Sequence, residues 1–110
     1  MANTITWSSG FPNYYVPPSD KLVAKGTYTK DAGWGLEWFY LEFYNLGPTE
    51  SGSVSASTFF PTDGTWSGSL LHPSIGDTYQ ICPSMKLYNP QTHETKFVSG
   101  STQNYLVQLP

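Results

Sequence analysis

At 110 residues the chain suffices for a single domain, residues 1–110, able to bury about two-thirds of its unfolded surface. Aromatic residues make up 16% and charged residues only 12%, against a charged fraction of about 25% in ordinary globular proteins. The net charge is -3, arginine is absent and the five lysines are scattered, which argues against nucleic acid, since a phosphate-binding face needs clustered cations, and disfavours a membrane surface.

The predicted elements are all strands, as expected of a chain rich in β-branched, aromatic and turn-forming residues. Thr4 to Trp7 reads as a short first strand, and the Pro- and Tyr-rich stretch from Gly10 to Pro18 as an irregular loop. From Leu22 to Thr29, Leu22, Ala24, Gly26 and Tyr28 alternate with Val23, Lys25, Thr27 and Thr29. A turn through Asp31 and Gly33 leads into Leu36–Tyr44, apolar on both faces. Glycines before this run and Gly47-Pro48 after it favour a strand over a helix. Phe39, Leu41 and Phe43, grouped with Glu37, are the expected core residues because they lack polar tips. Leu36, Trp38, Tyr40, Glu42 and Tyr44 share the other face, where Trp38, Tyr40 and Tyr44 then look outward or cover an edge.

Gly52 to Phe59 sets Val54, Ala56 and Thr58 against serines, the pattern of a strand with one solvated face. Asp63-Gly64-Thr65-Trp66 reads as a tight turn entering a strand with Trp66 and Leu70 on one face. Tyr79–Tyr88 groups Tyr79, Ile81, Met85 and Leu87, with Pro83 demanding a bulge, a break or an edge position. Asn89 to His93 is a turn, Lys96–Val98 a short strand, and Tyr105–Leu109 the closing strand. The sum is an all-β, immunoglobulin-like two-sheet antiparallel sandwich of seven or eight short strands.

Asp63-Gly64-Thr65-Trp66-Ser67 and Gly76-Asp77-Thr78-Tyr79-Gln80-Ile81 resemble the bacterial immunoglobulin-like modules that occur in tandem on surface and adhesin-type proteins. The resemblance implies that Trp66 packs between the sheets and that Tyr79 makes a tyrosine corner, its hydroxyl bonding back to nearby backbone. It covers about a quarter of the chain and implies a fold rather than a function.

Catalytic motifs are missing: there is no Gly-x-Ser-x-Gly elbow, no phosphate-binding glycine loop and no His-Glu-x-x-His. Glu37 and Glu42 fall on opposite faces of one strand. The spacing of His72, Cys82 and His93 matches no zinc pattern, and both histidines read as surface residues beside turns. Asp31, Asp63 and Asp77 invite a calcium site, but turn formation explains all three. Cys82 is the sole cysteine, so no intrachain disulfide forms, and it reads as a small apolar residue or a free thiol.

The aromatic surplus is the remaining functional signal. Trp34, between Gly33 and Gly35, is the expected exposed ring; Tyr14 and Tyr15 lie in the early loop, and Trp38, Tyr40 and Tyr44 form an outward strip. Such rings suit a protein interface, and equally a sugar-stacking platform. The expectation is a non-enzymatic binding or assembly module acting through a protein partner or self-association, without cofactor or metal. The alternative is a small lectin or carbohydrate-binding module. Met1 to Ile5 lacks the basic start and apolar stretch of a signal peptide. A native Met1 therefore implies the cytoplasm, and otherwise the chain is exported or cell-surface with its signal removed, or a piece of a longer protein.

Overall fold

The computed structural model describes residues 3–8 and 21–108 in full and the backbone of 13–15. Among the described residues nine strands follow in order: β1 Thr4–Trp7, β2 Asn13–Tyr15, β3 Lys21–Thr29, β4 Gly35–Gly47, β5 Val54–Phe59, β6 Thr65–Leu71, β7 Thr78–Tyr88, β8 Thr95–Ser99 and β9 Gln103–Gln108. They build a three-stranded sheet, β1-β3-β6, against a six-stranded sheet, β2-β9-β7-β4-β5, with β8 continuing the β9 side of β7. Neighbours pair antiparallel except β2, which runs parallel to β9. The stretch read as an irregular loop therefore contains a short strand, Asn13–Tyr15.

Alternation decides the inner faces. Leu22, Ala24, Gly26 and Tyr28 of β3 are buried, as are Phe39, Leu41 and Phe43 of β4 and Tyr79, Ile81, Met85 and Leu87 of β7. Trp66 from β6 stands at the centre, 98% buried and stacked on Phe39 at a centroid distance of 5.4 Å. Its indole Nε1–H donates to Thr6 O at 3.2 Å and Thr27 O at 3.1 Å, so the ring is satisfied without leaving the core.

Gly26 makes room for this arrangement. Its register neighbours are Trp7 on β1 and Trp66 on β6, whose rings meet edge to face at 5.1 Å. A Cβ at Gly26 would stand 2.6 Å from Trp66 Cζ2 and collide with the Thr6 carbonyl oxygen. Trp7 in turn donates its Nε1–H to Ser101 O at 2.7 Å, which ties the small sheet to the β8–β9 connection of the large one.

Three sequence expectations change in detail. A bulge at Glu37 shifts the register between Leu36↔Leu87 and Trp38↔Lys86, so Leu36 turns in against the core and Glu37 is exposed. Pro83 causes neither bulge nor break: β4 pairs with β7 in unbroken register from Trp38 to Asn45. Its carbonyl accepts from Gly100 N at 2.9 Å, in the gap where β9 has ended and β8 has not yet begun. N and C=O of one strand residue point to the same side, so the missing N–H faces that gap and costs no ladder bond.

The third change concerns β5. Its serines, Ser55 and Ser57, pair with Phe43 and Leu41 and face inward, whereas Val54, Ala56 and Thr58 face outward beside Tyr44, Glu42 and Tyr40. All are exposed, because β6 lies over β4 (Gly68 against Leu41) and β5 overhangs it. Only Phe59 reaches the core, 5.3 Å from Phe39.

Substituting Trp66→Ala is expected to cost about 3–5 kcal/mol through the lost burial and the cavity left behind. Gly26→Ala, a change of one methyl, is expected to cost about 1–3 kcal/mol by overpacking. Midpoints of urea unfolding measure both; a Gly26→Ala protein as stable as the parent would show that the Thr6 backbone and the indoles can both move aside.

Candidate binding face

The outer face of the large sheet gathers residues from three strands. Register sets Trp38, Lys86 and Phe97 in one row across β4, β7 and β8, Tyr40, Ser84 and Ser99 in the next, and Tyr44 with Gln80 further along. Trp38 meets Phe97 at 6.0 Å and Tyr40 at 6.3 Å, so the rings close over the Lys86 stem. Lys86 Nζ lies 5.6 Å from the Phe97 centroid and 3.1 Å from Glu37 Oε2, a partly exposed pair that contributes little to stability. The Tyr40 hydroxyl donates to Glu42 Oε2 at 3.1 Å, and burial, then this bond, raises its pKa. Ser84 and Cys82 form a low floor beside the ridge of Trp38, Tyr40, Glu42 and Tyr44. Phe97 is 71% exposed.

Of the residues singled out from sequence, Trp38, Tyr40 and Tyr44 do share this face and are half-buried. Trp34 does not join them. It is half-buried and packs against the core cluster, with Lys96 Nζ 4.6 Å from its ring centroid. Lys96 pairs with the buried Leu87, so both belong to the end of the inner face. The glycines around Trp34 suggested an exposed loop, but the turn is short enough for the ring to fold back onto the sandwich. Tyr14 and Tyr15 lie on β2, separated from β4 by β9 and β7; their side chains fall outside the described residues. Phe97 went unassigned in the sequence, although period-two counting from Val98 as an inward residue would have turned it outward.

A second concavity, of about 160 Å³, opens between the overhanging β5 and the end of β6. Phe43, Leu70 and Tyr79 form its apolar part, and Glu50 and His72 stand at its rim. Glu37 and Glu42 approach neither histidine: one pairs with Lys86, the other sits on the outer face, and His93 lies in the β7–β8 turn. Among the described residues no three His, Cys, Asp or Glu side chains converge as metal ligands.

Asp77 is more than a turn former. It is fully buried and accepts from Thr49 N at 2.8 Å, Asn45 Nδ2 at 2.9 Å and Glu50 N at 3.0 Å. Burial alone would push its carboxyl up; the hydrogen bonds together outweigh burial and bring the pKa down to about 2. Asn45, also buried, accepts from Gly47 N at 2.7 Å, and Val107 N donates to Asp77 O at 3.0 Å. One carboxylate thus ties the β4–β5 connection to the start of β7 and, through its backbone, to β9. Beside it the Tyr79 hydroxyl accepts from Ser74 N at 2.7 Å, closing the β6–β7 corner. Nothing in the sequence pattern separates Asp77 from the surface aspartates, since its burial depends on strands 30 residues apart meeting.

No family model, no curated protein and no solved structure matches this chain.

Two outcomes follow from these environments. Because folding lowers the Asp77 pKa from 3.8 to about 2, its contribution is complete above 3.8 and is lost as pH falls towards 2. Asp77→Asn should flatten that part of the acid-unfolding curve, and Asn45→Ala should cost about 1–3 kcal/mol at neutral pH; an unchanged acid limb in Asp77→Asn would refute the assignment. Burial and then Glu42 raise the Cys82 pKa, so iodoacetamide should modify the native protein more slowly than the unfolded chain at pH 8, and Glu42→Gln should speed it.

Proposed function

We propose that this protein is a binding module of the immunoglobulin-like kind and engages a protein partner through the outer face of its large sheet. Support for the plan comes from the strand order, β1-β3-β6 opposite β2-β9-β7-β4-β5, and from the Tyr79 corner at the start of β7. The bacterial surface-module resemblance of the two motifs is consistent with it.

The observation that carries the proposal is the cluster of Trp38, Tyr40 and Phe97 above a floor of Ser84 and Cys82. The core is complete without these rings, since Phe39, Leu41 and Trp66 fill it from the other side. Tryptophan and tyrosine in a weakly charged patch are the side chains that dominate protein–protein binding energy. Two of the nearest charges, Lys86 and Glu37, already satisfy each other. The rings favour protein over sugar as the ligand: Trp38 and Tyr40 stand 66° apart and Trp38 and Phe97 53° apart, so they offer edges and a notch rather than one flat stacking surface.

The test is a cross-linking and affinity-capture comparison in an extract of the source cells, using wild type and a Trp38→Ser/Phe97→Ser variant of equal thermal midpoint. The expected outcome is a partner held by the wild type and released by the variant. A glycan array run on the same samples should be blank. A competable glycan signal abolished by the double substitution would replace this reading with the lectin one.

A further inference from the structure

We propose that β5 pairs antiparallel with β5 of a second copy of this chain, joining the two large sheets edge to edge. This stands apart from the binding-face reading, because the edge of the sheet and its outer face are different surfaces.

β5 is the edge of the large sheet and pairs with β4 alone. Among the described residues no strand lies along its far side, which carries a row of backbone N–H and C=O groups. Edge strands are ordinarily guarded by charge, proline or a bulge. None is present here: residues 51–60 read SGSVSASTFF, and the β4–β5 register runs without a shift from Phe39↔Phe59 to Tyr44↔Val54. Every residue from Ser51 to Thr58 is exposed. β6 covers β4 instead, so the edge stands clear of the sandwich.

The missing charges point to an identical partner. A two-fold axis brings the residues beside it near their own copies, so a charge close to the axis would repel itself. The chain carries -3 overall, yet this ten-residue segment carries no charge. A two-fold perpendicular to the sheet also keeps outward residues with outward residues, so between positions 54 and 60 even positions pair with even and odd with odd. Centring the axis on Ser57 sets Ala56 opposite Thr58 and Val54 opposite Phe60. Val54 is 55% exposed and Phe60 69%. That register gives both an apolar cross-strand partner, whereas centring on Ala56 leaves Phe60 opposite Gly52. The geometry therefore selects Ser57 as the centre. The joined sheets would also present two copies of the Trp38 face side by side, so that a repetitive or dimeric partner would bind with avidity.

Sedimentation of the whole chain over a concentration series tests the pairing, together with disulfide trapping in a Cys82→Ser background. Wild type should dimerise. Ala56→Lys should weaken the dimer by about a hundredfold or more through like charges across the axis, with an unchanged thermal midpoint at concentrations where both proteins are monomeric. Trp38→Ser/Phe97→Ser should leave the dimer intact. Under mild oxidation Ser57→Cys should cross-link while Ser55→Cys, opposite Phe59, should not. A wild-type monomer at every concentration would overturn the proposal, as would a dimer that survives Ala56→Lys or dissolves with the Trp38/Phe97 change. Equal cross-linking at both cysteine positions would overturn the register.

Discussion

The sandwich depends on one missing side chain. Gly26 leaves a gap in the inner face of the small sheet between Trp7 and Trp66, and the two indoles close over it. Because no Cβ intervenes, Trp66 lies flat enough to stack on Phe39 from the opposite sheet while its N–H reaches the Thr6 and Thr27 carbonyls. Trp7, held at its own N–H by Ser101, reaches Tyr105 at 6.1 Å and so bridges to the large sheet. The ring geometry and the attachment of β1 follow from that contact. Interiors packed at crystal density transmit a single methyl's worth of strain to every neighbour.

The two flanks of the sandwich are built differently. On one flank β1 belongs to the small sheet and β2 to the large one, so the same end of the chain contributes to both layers. On the other flank β5 and β6 are free edges, with a concavity between them. Asp77 and Asn45 hold the base of β5 in place from within, which lets the strand project without a sheet beneath it. A buried carboxylate is costly unless its acceptor sites are met, and here backbone N–H groups of the β4–β5 connection meet them.

The outer face combines features that stability does not call for. Half-buried Trp38 and Tyr40 and the exposed Phe97 gather about Lys86, with Tyr44 further along beside Gln80, on the solvent side of a core that is already filled. Thr, Ser or Lys at those positions would suit a solvated sheet better. Large rings packed edge to face keep their shape on their own, and a rigid patch loses little entropy when a partner covers it.

Period-two alternation in Leu22–Tyr28 and Tyr79–Leu87, with turn residues between the strands, determined by itself that the chain is all-β and which side chains share a face, while Phe39, Leu41 and Phe43 were marked for the core by their lack of polar tips. Those signals are local, since neighbouring residues on one strand share a face whatever lies across from them. Three things were settled only by the tertiary structure: the inward turn of Leu36 and Trp34, the overhang that exposes both faces of β5, and the burial of Asp77. Each depends on which strand lies opposite, through a one-residue bulge, an offset between two sheets, or a meeting of segments distant in the chain. Alternation along a single strand carries no information about the layer that covers it.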